Sequence, residues 1–222
     1  MQNGQNRESP SRRGSKDLYS RYYKRMIDFV LALAAVILLS PILLVVILLI
    51  KLDSKGPVFF MQERPGMDRK IFMVYKFRTM KQDAVLFQKA GVEIRGSDSR
   101  ITPIGTFLRR FKIDELAQLI NILKGDMSFV GPRPNLPEYL EQYEEWELER
   151  FKVKPGLTGL AQVNGNIYLE RKEKSAHDIK YINQVSFAVD MKIILKTLAI
   201  VLLGEEKFLN KSKSIVKKGS EK

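Results

Sequence analysis

A chain of 222 residues with 45% apolar residues has material for one substantial domain plus an attachment, and it excludes global disorder. The net charge of +13 and pI near 9.8 point to polyanionic partners: nucleic acid, an anionic membrane face or phosphorylated substrates. Cysteine is absent and His177 is the only histidine, which excludes disulfides, thiolate or multi-histidine metal centres and histidine-based triads, and fits a protein facing the cytosol.

Residues 1–17 are polar and rich in Ser, Gly and Arg, and they read as a mobile tail. From Phe29 to Ile50 runs FVLALAAVILLSPILLVVILLI, without a charge. As one helix it rises about 33 Å, enough to cross a hydrocarbon core of about 30 Å. The run is long for a signal peptide, and the KLDSKG behind it lacks a small-residue cleavage site. Ser40 and Pro41 sit at its centre, where proline removes a backbone donor and disfavours helix at the residue before it. Two readings compete. One is a spanning helix with a tolerated kink; the other is a re-entrant hairpin that turns at Ser40-Pro41 and leaves on the side it entered. Arg12, Arg13, Lys16, Arg21, Lys24 and Arg25 precede the run, and Lys51, Lys55, Arg64, Arg69 and Lys70 follow it. Positive flanks favour the cytoplasm, and only the hairpin satisfies both at once. Each arm, about ten residues or about 15 Å, then reaches halfway through the core.

Beyond the apolar run, GPVFFMQERPG and KIFMVYKFRTM predict short strands around a Pro-Gly turn. The stretch 82–100 reads as a weak helix and a polar loop. Thr102 is a cap for a short helix with Pro103 in its first turn. In KIDELAQLINILKG, Leu116, Leu119, Ile120 and Leu123 keep a 3.6-residue period, predicting an amphipathic helix with one buried face. NLPEYLEQYEEWELERF reads as a polar, acidic helix. DMKIILKTLAIVLLG, from Asp190, is amphipathic and too short to span a bilayer, so it packs in the core or lies on a membrane. The predicted fold is α+β, membrane-associated and mostly helical with a small sheet and interfacial amphipathic helices. It divides into a mobile tail at 1–20, a re-entrant membrane helix at 21–52, a cytosolic domain at 53–204 and a basic tail at 205–222.

The residues that carry chemistry cluster around an acidic pair. Asp114 reads as a helix N-terminal cap, with Glu115 in a first turn that favours acids, or alternatively as a nucleophile with its assistant. Lys76, Arg78, Arg100, Arg109, Arg110 and Arg133 lie in loops or short elements around the pair, and guanidinium forks suit phosphate oxygens. The same cations suit a solvated face or a lipid-headgroup surface. Arg133 differs from the others because Pro132 and Pro134 fix its backbone. Neither a Walker loop nor G-x-G-x-x-G is present, so no nucleotide-binding fold is signalled.

Four stretches follow one another in order: KRMIDFVLALAAVILLSPILLVVILLIKLDSKGPVFFMQERPG, YKFRTM, IDELAQLINILKGDMSFVGPRP and KPGLTGLAQVNG. Together they strongly resemble the bacterial sugar transferase family, the monotopic phosphoglycosyl transferases that start glycan assembly on a polyprenyl phosphate. The likeness covers all but the two tails. It implies transfer of a sugar 1-phosphate from a UDP-sugar to polyprenyl (undecaprenyl) phosphate, with release of UMP and with Mg²⁺ as cofactor. Asp114 would be the nucleophile that attacks the sugar-bearing phosphate and Glu115 its acidic partner, with the two as candidate Mg²⁺ ligands. Arg78, Arg109 and Arg133 would handle the substrate phosphates, and Ser40-Pro41 would be the turn of the re-entrant helix. The implied location is the bacterial inner membrane, with both termini and the catalytic domain cytoplasmic and no nucleic-acid partner. Asn166 departs from this pattern, standing where the family commonly has Arg, and Ala117 stands where Pro is frequent. The rival reading is a non-catalytic, basic, membrane-anchored protein that binds anionic lipids; a nucleic-acid binder fits the charge but not the 22-residue apolar run.

Overall fold

A computed structural model describes residues 19–81 and 100–204. Residues 1–18 of the expected N-terminal tail, the expected tail 205–222, and residues 82–99 of the expected weak helix and loop at 82–100 lie outside the described residues. Tyr19 and Ser20 are not tail but open a helical turn, with Tyr19 Oη donating to Asp190 at 2.8 Å.

A short π-helical turn, Tyr19–Tyr23, leads into α1, Lys24–Asp53. At 30 residues α1 is about 45 Å long. The sequence predicts two arms that meet at Ser40-Pro41; the structure is helical on both sides of Pro41 and through it. A hydroxyl accounts for this. Pro41 has no N–H for the carbonyl four residues back, that of Ile37, and Ser40 Oγ donates to that same carbonyl at 2.8 Å. Little of α1 is covered. Asp28, Ala32, Val46 and Ile50 are buried, whereas Leu38, Ile37 and Leu44 are 79%, 65% and 65% exposed. Among the described residues α1 is the one helix long and apolar enough to cross a membrane.

Both ends of α1 are fastened to the rest of the molecule. Near the start, Arg25 donates to the carbonyls of Ile122 (2.5 Å) and Leu123 (2.8 Å), and Lys24 pairs with Asp190 at 2.5 Å. At the end, Arg78 donates to the carbonyls of Ile50, Ser54 and Lys55. The Ile50 carbonyl also accepts from the Ser54 N–H at 3.4 Å, and the buried guanidinium adds a charged donor at the negative end of the helix dipole while holding the two carbonyls just beyond the helix.

The strands β1, Phe59–Pro65, and β2, Ile71–Phe77, form the predicted antiparallel hairpin, in register from Phe59↔Phe77 to Pro65↔Ile71. Its turn passes through Asp68 and Arg69, both with positive φ. Helix α2, Pro103–Arg110, starts as the sequence predicts: Thr102 accepts from the Gly105 N–H at 3.0 Å. The predicted helix that opens at Asp114 and stops at Gly125 is split. Ile113–Gln118 winds as a 3₁₀ turn and only α3, Leu119–Lys124, is α-helical, ending at the left-handed Gly125. The predicted acidic helix is also absent as such. It is two 3₁₀ segments, Pro137–Gln142 and Glu145–Lys152, the second fixed by a reciprocal Glu144–Glu147 capping box. A second, parallel pair joins β3, Ser128–Val130, to β4, Gly156–Thr158. Helix α4, Arg171–Ile182, and helix α5, Phe187–Leu203, complete the chain.

Three apolar clusters hold these pieces together. Ala32 packs with Val74, Leu119, Ile122 and Met127; Val46 and Ile50 pack with Phe77, Leu108 and Ala117. The two halves of α1 therefore each contribute to a cluster built on β2. The third cluster joins Val130, Val163, Tyr181, Val185 and Ile193. Truncating a fully buried member such as Ile122 to Ala costs about 2–5 kcal/mol. α5 buries Asp190 and Ile193 but leaves Phe187, Leu195, Leu198 and Leu202 exposed, an apolar face continuing the theme of α1.

Candidate active site

The site forms where β2 and α2 meet the 113–118 turn. Gly105 lets α2 lie against the backbone at Thr79; a Cβ on it would stand 2.0 Å from the Thr79 carbonyl oxygen. That approach brings Arg109 over Thr79, whose Oγ1 accepts from Arg109 Nε at 2.9 Å. The chain then turns through Lys112, in left-handed conformation (φ 57°), and this residue holds the cap position that the sequence predicts for Asp114. Asp114 is accordingly not the helix cap. It sits with Glu115 in the first turn, and both line a cleft of about 210 Å³ with Lys76, Thr79, Arg109 and Lys112.

The two acids have opposite surroundings. Glu115 is gripped by a guanidinium fork: Arg133 Nη1 donates to Oε2 at 3.2 Å and Nη2 to Oε1 at 2.5 Å, while Lys76 Nζ lies 3.4 Å from Oε1. Burial opposes its ionisation, yet the Arg133 and Lys76 charges outweigh it and hold Glu115 far below the usual carboxylate range. Asp114 shifts the other way. Burial and then the Glu115 charge raise it above its ordinary value, with Lys76 and Arg109 opposing. Adjacent carboxylates whose environments push them apart are suited to separate chemical tasks. Lys76 is itself lowered by burial, with Glu115 pulling it back.

The predicted cations divide. Arg133 bonds to Glu115, and Arg109 lines the cleft with both acids and favours the Asp114 charge without a hydrogen bond or ion pair to either among the described residues. Arg78 also lines the cleft, but it is 3% exposed and its guanidinium donates to the three carbonyls at the end of α1, a structural post that the sequence does not signal. Ser40 and Pro41 lie in mid-helix, and Asn166, at φ 48°, is not among the residues lining the cleft. Lys76, named among the cations in the sequence, belongs with the site, and Arg64 joins it as a further one. Lys76 reaches Glu115, and Arg64 lies beside Arg133, where burial and that neighbouring charge lower it to about 10. Arg64 donates to Gln62 Oε1 at 2.6 Å. The strand alternation carries the signal for both, since Phe60↔Lys76, Gln62↔Val74 and Arg64↔Phe72 share one face of the hairpin.

Among the described residues no group of three or more His, Asp or Glu is placed to hold a metal ion. A hard dication bound through one or two carboxylates, with phosphate oxygens and water, nevertheless fits the donor set. Asp114 has no hydrogen bond or ion pair among the described residues, and Glu115 Oε2, with one donor on it, retains acceptor capacity.

Comparison with known proteins places this arrangement. The family model for bacterial sugar transferases matches residues 19–204. An uncharacterized sugar transferase, EpsL, of Bacillus subtilis is 41% identical over 182 residues, covering 82% of this chain and 88% of its own. The UDP-glucose:undecaprenyl-phosphate glucose-1-phosphate transferase of Escherichia coli is 45% identical over 186 residues, covering 80% of this chain and 40% of its own. The UDP-N-acetylgalactosamine-undecaprenyl-phosphate N-acetylgalactosaminephosphotransferase of Aeromonas hydrophila is 37% identical over 190 residues, covering 82% and 44%. The chain thus spans less than half the length of these two relatives of named activity. With a match running from the turn before α1 to the end of α5 and enclosing the acidic pair and its cations, the chain belongs to the bacterial sugar transferase family.

Proposed function

We propose that the protein transfers a sugar 1-phosphate from a UDP-sugar to a polyprenyl phosphate, such as undecaprenyl phosphate, at the cytoplasmic face of the bacterial inner membrane, as the first membrane step of glycan assembly. The observation that carries this reading is the divided acidic pair: Glu115 held by the Arg133 fork and Lys76, with Asp114 beside it raised by burial and making no hydrogen bond or ion pair among the described residues. The relatives whose names specify UDP-glucose or UDP-N-acetylgalactosamine with undecaprenyl phosphate support the donor and acceptor classes.

Two polyanions brought together in one cationic cleft repel each other, and a two-step route avoids this. In the first step an Asp114 carboxylate oxygen bonds to the sugar-bearing phosphorus and the P–O bond to UMP breaks, so UMP departs with that electron pair. In the second step a phosphate oxygen of the polyprenyl phosphate bonds to the same phosphorus. The aspartyl–phosphorus bond then breaks and the Asp114 carboxylate is restored. Lys76, Arg78 and Arg109 line the cleft and Arg133 flanks it; Lys76, Arg109 and Arg133 offset phosphate charge directly, while Arg78 adds its charge from the cleft wall with its donors on the helix end. Asp114 and the remaining acceptor capacity of Glu115 would hold Mg²⁺, which when bound neutralises phosphate charge.

The membrane geometry follows from the fastening of α1. Arg25 near its start and Ile50 near its end are tied to one body that also contains the cleft. A hydrocarbon layer of about 30 Å cannot separate those two ends without cutting through that body. Both ends therefore belong at the same face, with the exposed middle of α1 and the apolar face of α5 in contact with lipid. The test is UMP release from a panel of UDP-sugars in the presence of Mg²⁺ and undecaprenyl phosphate. Release with at least one sugar is expected, limited to about one UMP per protein without the lipid and sustained with it; binding of anionic lipid with no release from any donor would support the scaffold alternative instead.

A further inference from the structure

The Pro132-Arg133-Pro134 segment is hard to anchor. Neither proline has an N–H, so the loop must be held largely through its carbonyls. The Gly156 N–H donates to the Pro132 carbonyl at 3.0 Å, and the buried Arg150 donates to the Arg133 carbonyl at 2.9 Å. The same guanidinium donates to the Tyr143 hydroxyl, which also accepts from the Asn135 side-chain amide at 2.5 Å. One cation therefore grips the loop directly at residue 133 and through Tyr143 at residue 135.

Arg150 is itself held from behind. Asp178 on α4 pairs with it at 2.8 Å, both side chains being at most 4% exposed. The rings of Tyr143 and Phe151 flank the guanidinium, with centroids 5.1 and 5.7 Å away. Burying an ion pair is a poor route to stability, because packed apolar residues of similar volume do about as well. What this pair achieves is placement of one carbonyl, and that carbonyl belongs to the residue whose fork meets Glu115.

We propose that Arg150, oriented by Asp178 and Tyr143, is a positioning residue for the reaction: it holds the Arg133 backbone so that the guanidinium engages Glu115 at two points. The inference rests on the phosphoglycosyl reading above for its effect on turnover, and on geometry alone for its effect on the Arg133–Glu115 fork.

Two double-mutant cycles test it. In the first, Arg150→Lys keeps a positive charge but cannot serve the Arg133 carbonyl, Tyr143 and Asp178 together, and kcat/KM should fall about 10-fold. Combined with Arg133→Lys it should add less than about a further 2-fold, because both changes disable one device. Losses that multiply would assign Arg150 to general stability and overturn the proposal. The second cycle reads unfolding and needs no turnover. The drop in Tm caused by Glu115→Gln should be smaller in the Arg150→Lys background than in wild type. An equal drop in both backgrounds overturns the proposal even if no UDP-sugar is ever turned over. An inactive wild type with coupled unfolding would sink only the functional reading. If Arg150→Lys does not fold, Tyr143→Phe, which removes one hydroxyl from the grip, runs both cycles in its place.

Discussion

Replacing Glu115 by Gln removes one charge and keeps the shape, so it isolates what the fork contributes. Glu115 accepts two bonds from Arg133 and lies within ion-pair distance of Lys76. Breaking a fully buried pair costs about 3–5 kcal/mol. The Glu115 side chain is 14% exposed but that of Arg133 is 40% exposed, so solvent screens part of the attraction. The expected cost at pH 7 is about 2 kcal/mol, or about 4–8 °C in Tm for a chain of this size. The pH dependence follows from the direction of the shift. Glu115 is depressed in the folded protein relative to its ordinary 4.5, so its contribution is complete above pH 4.5 and is lost as the pH falls through the folded value. Thermal unfolding of both proteins in the same detergent, from pH 7 down to pH 3.5, reads this directly. The wild-type advantage should be full at pH 7 and begin to narrow below pH 4.5. Equal stability at pH 7, or a gap that does not shrink in acid, would refute the electrostatic account of the site.

Other substitutions separate structural from substrate-facing cations. Arg78→Lys should destabilise the fold by about 1–3 kcal/mol through the carbonyls at the end of α1 while the folded fraction keeps its turnover, measured by unfolding and UMP release together. Arg133→Lys should reduce kcat/KM by about 10- to 150-fold, because an ammonium cannot form the two-point contact; full activity would limit this residue to stiffening the loop. Gly105→Ala forces α2 away from the Thr79 carbonyl and should cost about 1–3 kcal/mol, with activity falling as Arg109 loses Thr79; an unchanged Tm would contradict the close approach.

What the sequence made legible was local. Thr102 with Pro103 opening α2, the β1–β2 hairpin and the adjacency of Asp114 to Glu115 each depend on residues within a few positions of one another. The family signature lay in linked motifs along the chain. What escaped were partnerships set by tertiary packing. Arg78 looks like a phosphate ligand in YKFRTM, yet its acceptors lie 23 to 28 residues earlier at the end of a helix. Arg64 reads as a membrane-flanking charge until the hairpin register places it on the face of Lys76. The continuity of α1 through Pro41 rests on one hydroxyl repairing one carbonyl, a choice that the breaking tendency of proline conceals. The cap reading of Asp114 fails because Lys112 adopts a left-handed conformation that few lysines take and starts the turn two residues earlier.

The central claim is that Asp114 forms a covalent bond to the sugar phosphate, and one labelling experiment addresses it most directly. Wild-type protein incubated with a UDP-sugar carrying a radiolabelled sugar, in Mg²⁺ and without lipid acceptor, should retain the label through denaturation and release it when polyprenyl phosphate is supplied beforehand. Asp114→Asn should retain none. Because burial disfavours the Asp114 charge, the neutral variant should melt no lower than wild type at pH 7, so loss of label cannot be blamed on unfolding. A well-folded Asn variant that still takes the label, or a turning-over wild type that never does, would contradict the account.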